Sequence, residues 1–321
     1  MARIIVLTLA LLAVIQFVMS TNPPSIEEFF KEKVRGNLTT ITWKHAVNNK
    51  ALLNSSLAST DVMMLEADVV LGNLQTNMTK LMPIMAHPPN TTSDLSLEEF
   101  IEIVLKNGTK GMKLDFKSIE AFNQSVEILK KFKPNMKVPV WINADILMGP
   151  VNATEEQAKP VDAKQFLSTI VKDFPEFVIS VGWVTKYGTK YNIKTGNYTT
   201  HQIDDMLKTL KDNHMSQNVT FAVRAGLALN SIDAMEKLVA NNTKATLTIW
   251  SSEGDEVNGD KLTNLITKIG FDKVFIDVPE SVWKTLHFNK PKPGSSNYLT
   301  SNVILTFATT ILSFLLVTRM L

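Results

Sequence analysis

No cysteine occurs in this chain. That excludes thiol catalysis, cysteine-based zinc sites, iron–sulfur clusters and any disulfide framework. Small secreted domains need disulfide staples, whereas one of about 270 residues buries enough surface to do without. A single large core is therefore expected. Net charge is lacking too. With Arg3 and Arg319 of the end segments set aside, 31 basic residues face 31 acidic ones. Such a chain gives no electrostatic case for nucleic acid or for a charged membrane surface as partner. Between the ends there is no low-complexity linker, short-period repeat or charge block.

What is present begins at the ends. Met1-Ala2-Arg3, an apolar run over 4–19 and Ser20 before Asn22-Pro23-Pro24 are the parts of a secretory signal peptide. Val18 and Ser20 suit the positions before a cleavage site, which sets the signal at 1–20; an uncleaved anchor helix is the alternative. Residues 289–302 form a polar, proline-containing linker, and 303–317 are apolar apart from Thr and Ser. Small residues, a polar spacer and a terminal apolar tail fit a GPI signal. A single transmembrane helix with Arg319 on the inside is the rival. Either reading puts the folded part outside the cell, tethered to a membrane.

Sequons agree with that compartment. N-x-S/T occurs at Asn37, Asn54, Asn77, Asn90, Asn107, Asn123, Asn152, Asn197, Asn218 and Asn241, never with proline in the middle. These ten predict a glycoprotein exposed to the secretory pathway.

After a helical lead-in over 21–39, residues 40–288 carry a recurring beat of apolar β-branched run, polar corner and amphipathic stretch. The spacing predicts strands at 40–45, 62–70, 111–117, 138–145, 177–185, 219–226, 245–251 and 273–278. Near-continuous hydrophobicity suits parallel strands buried on both faces. Helices are predicted at 48–57, 97–106, 119–132, 164–174, 200–213, 232–240 and 261–269. Ser96 with Glu99 and Thr199 with Gln202 have capping-box spacing, and Ser25 with Glu28 marks the lead-in. Eight such units predict an α/β fold, a single (β/α)8 TIM-type barrel. The alternative, an open doubly wound sheet, usually carries a glycine-rich phosphate loop after strand one. His45-Ala46-Val47-Asn48 is not one.

Barrel chemistry comes from the C-terminal ends of the strands, and this sequence concentrates polar groups there. Strand one ends in His45; strand two carries Glu66 and Asp68; His87 lies in the loop that follows. Strand three ends with Lys113, Asp115 and Lys117, and strand four with Asn143 and Asp145. Spacing of i, i+2 aims both side chains at one face of a strand. Three carboxylates, Glu66, Asp68 and Asp115, would then converge as a site for a hard divalent cation such as Mg²⁺ or Ca²⁺. Trp141, Trp183, Trp250 and Arg224 also fall near strand ends as pocket candidates, with Asp277 at the rim. His201, His214 and His287 read as surface residues.

The blocks Ile41–Asn48, Met64–Val69, Met85–Pro89, Gly111–Lys117, Val140–Leu147 and Ser180–Trp183 together resemble the menorin family of secreted or membrane-tethered animal proteins, over 40–279. More distantly, the pattern is similar to the phospholipase-C-like barrel of glycerophosphodiester phosphodiesterases and sphingomyelinase D enzymes. That resemblance implies His45 and His87 as the catalytic histidines and Glu66, Asp68 and Asp115 as metal ligands. It implies Lys117 as the phosphate-contacting lysine. Those phosphodiesterases have Arg-Gly after the first histidine, where this chain has Ala46-Val47, and the 68–87 loop here is longer and carries a sequon. Two functions are therefore expected to compete. One is a metal-dependent phosphodiesterase, acting on a lipid headgroup. The other is a non-catalytic surface protein that binds other ectodomains.

Overall fold

Eight parallel strands follow one another around the fold in chain order, as they do when each returns through its own helix. The computed structural model describes residues 22–151, 153–154, 158–240 and 244–288. The signal peptide, the linker, the apolar tail, Asn152 and Asn241 lie outside the described residues. Strands β1 (Trp43–Lys44) and β2 (Met64–Leu74) come first, then β3 (Asn77–Met85) and β4 (Thr92–Ser93). They are followed by β5 (Gly111–Phe116), β6 (Val140–Met148), β7 (Val178–Val184), β8 (Val219–Arg224), β9 (Thr246–Trp250) and β10 (Val274–Asp277). The ladder runs β1-β2-β5-β6-β7-β8-β9-β10, every neighbouring pair parallel. The ends of the ladder meet through Leu38 N–H on the Phe271 carbonyl (2.8 Å) and His45 on Asp277, which nearly closes a (β/α)8 barrel.

The helices start where short polar side chains satisfy the free N–H groups of the first turn. Ser96 accepts from Glu99 N, Ser118 from Ala121 N, Asp162 from Gln165 N and Asn258 from Lys261 N. Thr199 and Gln202 form the full reciprocal capping box. Each helix buries an apolar stripe against the strands. The Phe122 ring lies 5.1 Å from Phe116 and 4.7 Å from Phe166, and all three rings are buried.

The two mouths of the barrel differ. At the N-terminal end, Trp43, Trp141 and Phe275 interlock, with ring centroids 4.8–6.4 Å apart. Ile26, Val34 and Leu38 of the lead-in pack beneath them, so this end is plugged. Trp141 therefore belongs to the floor and does not line the cavity at the C-terminal end. It faces inward as its strand parity requires, but at the start of β6. The segment read from sequence as a long loop over 68–87 is instead a hairpin. Strand β2 runs on past the barrel to Leu74, and β3 returns antiparallel to it. Gly72 is needed in this hairpin, because a Cβ there would meet the Thr91 carbonyl oxygen at 2.3 Å. Among the described residues, no helix is long and apolar enough to cross a membrane.

Candidate metal centre

Parallel neighbours in register keep a common face, so the i, i+2 pairs enter the barrel in tiers. Glu66 pairs with Lys113; Asp68 pairs with Asp115, and Asp115 with Asn143. One oxygen from each of Glu66, Asp68 and Asp115 lies within 4.8 Å of the others. Glu66 and Asp68 are buried, at 1 % and 2 % exposure, and Asp115 is half-buried. A cavity of about 370 Å³ opens on this cluster at the C-terminal end, and both His45 and His87 line it.

Each ligand candidate is held from behind. Asn48 donates its amide to Asp68 Oδ2 (2.7 Å) and accepts from Asp68 N (2.9 Å). Asn143 donates to Asp115 Oδ1 (2.6 Å). The N–H of Ala46 donates to Glu66 Oε2 (2.8 Å). Ala46 does so at φ +55°, a left-handed conformation that costs a non-glycine residue on the order of 1 kcal/mol or more. The Lys117 ammonium bridges Asp68 Oδ1 (2.7 Å) and Asp115 Oδ2 (2.5 Å). Lys113 is 3 % exposed and lies 6.0 Å from the Trp43 ring centroid, with no carboxylate in ion-pair range among the described residues.

Charge and burial set the proton affinities. Burial pushes Glu66 up to about 7, helped by Asp68 and opposed by His45. Burial and the nearby Asp115 raise Asp145 to about 7 as well. Asp115 goes the other way: burial would raise it, but Lys117 and Lys113, with the bonds from Lys117 and Asn143, hold it down to about 2. Lys117 is likewise opposed by burial, yet Asp115, Asp68 and Glu66 lift it well above the ordinary lysine value. The Glu66 charge, offset by burial and reinforced by Asp277, raises His45 to about 9. His45 Nδ1 is 3.1 Å from Asp277 Oδ2 and 3.4 Å from Glu66 Oε2. A carboxylate only accepts, so Nδ1 carries a proton. His87 Nδ1 lies 2.7 Å from the Pro88 carbonyl, which only accepts, so Nδ1 is the donor there and Nε2 is left outside that bond.

The far wall of the cavity was only partly legible in the sequence. Arg224 is present, but Asp255 holds it by two bonds of 2.8 Å, and Thr185 accepts a third at 3.1 Å. Its guanidinium lies 5.4 Å from the Tyr187 ring and 5.0 Å from Trp250. Arg224 is thus a built-in piece of wall rather than a free anion-binding group. Trp183 is not in the lining. Gly182 is the inward position on β7, where a Cβ would meet Asp145 Oδ1 at 2.5 Å, so Trp183 turns the other way and packs on Tyr198 at 5.2 Å. Asn48, Asp255, Tyr187 and Thr185 were missed; only the exit of strand one, His45-Ala46-Val47-Asn48, offered a signal for the first.

The donor set fits a hard cation. It is all oxygen, converges from two adjacent strands, and has amides fixing the outer oxygens, as metal-ligating carboxylates generally do.

The family comparison spans the sequence blocks quoted above. The family described as the menorin N-terminal domain matches residues 37–283. Human protein FAM151B is 40% identical over 242 residues, which cover 75% of this chain and 83% of that protein. Among solved structures, a glycerophosphodiester phosphodiesterase from Parabacteroides distasonis ATCC 8503 aligns with a TM-score of 0.39 at 12% identity, over 78% of this chain and 98% of that one. By the extent of the family match and the identity to a curated relative, the chain belongs to the menorin family.

Proposed function

We propose that this protein is an extracellular, membrane-tethered phosphodiesterase that holds Mg²⁺ or Ca²⁺ on Glu66, Asp68 and Asp115. Its substrate class would be a phosphodiester, such as that of a lipid headgroup. The observation that carries the reading is one cavity that opens on an all-carboxylate cluster and is lined by two histidines and three lysines. A bound divalent ion would polarise the phosphoryl oxygens. The chain's own residues supply the rest. His45 stays protonated at neutral pH, with Asp277 orienting Nδ1–H, so its Nε2–H is the proton for a leaving oxygen. His87 Nε2 is free to accept a proton from the attacking group. Lys113 and Lys117 provide positive charge for the non-bridging oxygens.

Exposure of the sequons supports the extracellular reading. Of the eight sequon asparagines described, all but Asn37 are exposed. A second reading, a surface binding protein without turnover, draws on one specific observation. Ala46-Val47 provides no arginine beside His45, and Arg224 is occupied by Asp255. Metal analysis of the glycosylated protein, followed by hydrolysis assays on a panel of phosphodiesters, separates the two. Stoichiometric metal with turnover that Asp68→Asn abolishes supports the enzyme; metal without turnover supports the binding protein. Absence of metal overturns the centre. Release from cells by a phosphatidylinositol-cleaving lipase supports the GPI anchor, unchanged attachment supports the transmembrane helix, and an unglycosylated cytosolic protein overturns the topology.

A further inference from the structure

The two aspartates of the cluster have every oxygen engaged. Asp68 gives Oδ2 to Asn48 and Oδ1 to Lys117; Asp115 gives Oδ1 to Asn143 and Oδ2 to Lys117. Of the two amides, Asn143 belongs to the barrel interior at 3 % exposure, and half-buried Asn48 is tied to Asp68 twice, by its amide on Oδ2 and by accepting from Asp68 N. Lys117 differs from them. It lies just past the end of β5, its side chain is 23% exposed, and it ends a flexible four-carbon stem within the cavity lining. Charge holds this ammonium in place more than packing does. An ion that takes one oxygen from each aspartate competes with Lys117, because the amides are the harder partners to move.

We propose that Lys117 is an exchangeable counter-ion. Entry of a divalent cation displaces its ammonium from Asp68 and Asp115 into the cavity, where it becomes a binding group for a phosphate-type oxyanion. Cation and anion then bind with positive coupling, and the anion subsite is weak until the cation is in place. The inference rests on the metal centre proposed above. Its physical basis is local charge. While Lys117 is held between the two aspartates, an incoming anion meets their residual field and finds, among the described lysines of the lining, Lys113 and Lys190 without a carboxylate partner in range. Once the ion takes over the aspartates, Lys117 joins Lys113 and Lys190 as a lysine free to face the cavity. Thermodynamic reciprocity requires the anion to tighten cation binding by the same factor.

Calorimetric titration of the glycosylated protein with Mg²⁺ and with Ca²⁺ tests this, alone and with inorganic phosphate or dimethyl phosphate present. Wild type should bind the cation more weakly than Lys117→Met, by about tenfold, and should show a cation–anion coupling that the variant largely loses. Coupling with dimethyl phosphate but not with inorganic phosphate would identify the diester as the ligand, and the reverse would identify free phosphate. Equal cation affinity in wild type and Lys117→Met, or equal coupling in both, overturns the counter-ion. No cation binding by either protein overturns the metal centre and the counter-ion with it. Should Lys117→Met fail to fold, wild type alone gives the answer. Acylation of Lys117, mapped by mass spectrometry against exposed Lys164, should rise when the cation is added, and unchanged or reduced acylation refutes the displacement.

Discussion

The Arg224–Asp255 pair offers the sharpest energetic test of the cavity. Its side chains are 9% and 2% exposed, and two 2.8 Å bonds join them in a bidentate fork. Asp255→Ala would leave a buried guanidinium with Thr185 and two aromatic faces for company. Removing one partner of a buried pair typically costs about 3–5 kcal/mol. Tyr187 and Trp250 soften that, since each cation–π contact is worth about 0.5–2 kcal/mol, which points to the lower part of the range. Asp255 Oδ2 also accepts from Ser252 N (3.1 Å), and losing that bond adds about 1 kcal/mol. The expected loss is therefore about 3–4 kcal/mol for Asp255→Ala. Arg224→Met should cost a similar amount by stranding the carboxylate. The double variant should cost well under the sum, because neither charge is then left alone. Urea denaturation with linear extrapolation reads all three. A loss below about 1 kcal/mol for Asp255→Ala, or strictly additive single effects, would refute the claim that this wall depends on a desolvated ion pair.

Three further outcomes follow from the same geometry. In metal-stripped protein Glu66 sits at about 7 instead of 4.5, so the folded state binds this proton more tightly than the unfolded one. Stability should fall as pH rises from about 4.5 to 7, with a ceiling of about 3 kcal/mol. His45, raised from 6.5 to about 9, has the same sign, its contribution being full below 6.5 and lost as pH passes 9. Denaturation midpoints in chelator at pH 5, 7 and 9 should descend, Glu66→Gln should shrink the first step and leave the part that Asp145 contributes, and a rising series contradicts the assignment. Divalent cation at a hundred times its dissociation constant should stabilise the fold by about 2.7 kcal/mol. Asp68→Asn should erase that thermal shift and His45→Ala should keep it, so a shift surviving Asp68→Asn removes Asp68 from the ligand set. Phe122→Ala, between two buried rings, should cost about 3–5 kcal/mol while leaving cation affinity unchanged. A cost under 1 kcal/mol would place the helix–sheet core elsewhere.

The barrel was legible because its signals are local. Continuous apolar runs, cap residues and the beat of strand and helix each occupy a few neighbouring positions. The predicted helices 119–132 and 232–240 match the observed Ile119–Phe132 and Ile232–Ala240. The convergence of Glu66, Asp68 and Asp115 followed from i, i+2 parity on adjacent strands. Parity also explains the misses. Ser180 lies in register with Asn143, so Gly182 faces inward and Trp183 cannot. Trp141 has the right parity but lies below Asn143, toward the floor. The hairpin of β2 and β3 escaped notice because its turn has no Asn-Gly or Asp-Gly signal and its outer residues, Met78 and Leu81, are exposed. Asp255 and Asn48 find their partners across neighbouring strands, at Arg224 and Asp68, and no local pattern announces such a contact.

The charges inside the cavity suggest why these acids sit together at all. Glu66, Asp68, Asp115, Asp145 and Asp277 surround His45, Lys113 and Lys117, and along the wall Arg224 and Lys190 are matched in number by Asp255 and Glu253, so anions outnumber cations by two if all of these are ionised. Without a metal, the interior meets that imbalance by holding protons, and burial brings Glu66 and Asp145 to about 7 for this reason. A divalent ion carries the two charges that are missing. A monovalent ion would leave one carboxylate to be protonated, and a trivalent ion would leave one positive charge in excess. A barrel selected only for packing would gain by replacing such a cluster with apolar residues, since buried ionic groups are rarely the most stable choice. Their arrangement on adjacent strands, clamped by Asn48, Asn143 and the left-handed Ala46, is instead what a site for one doubly charged guest requires.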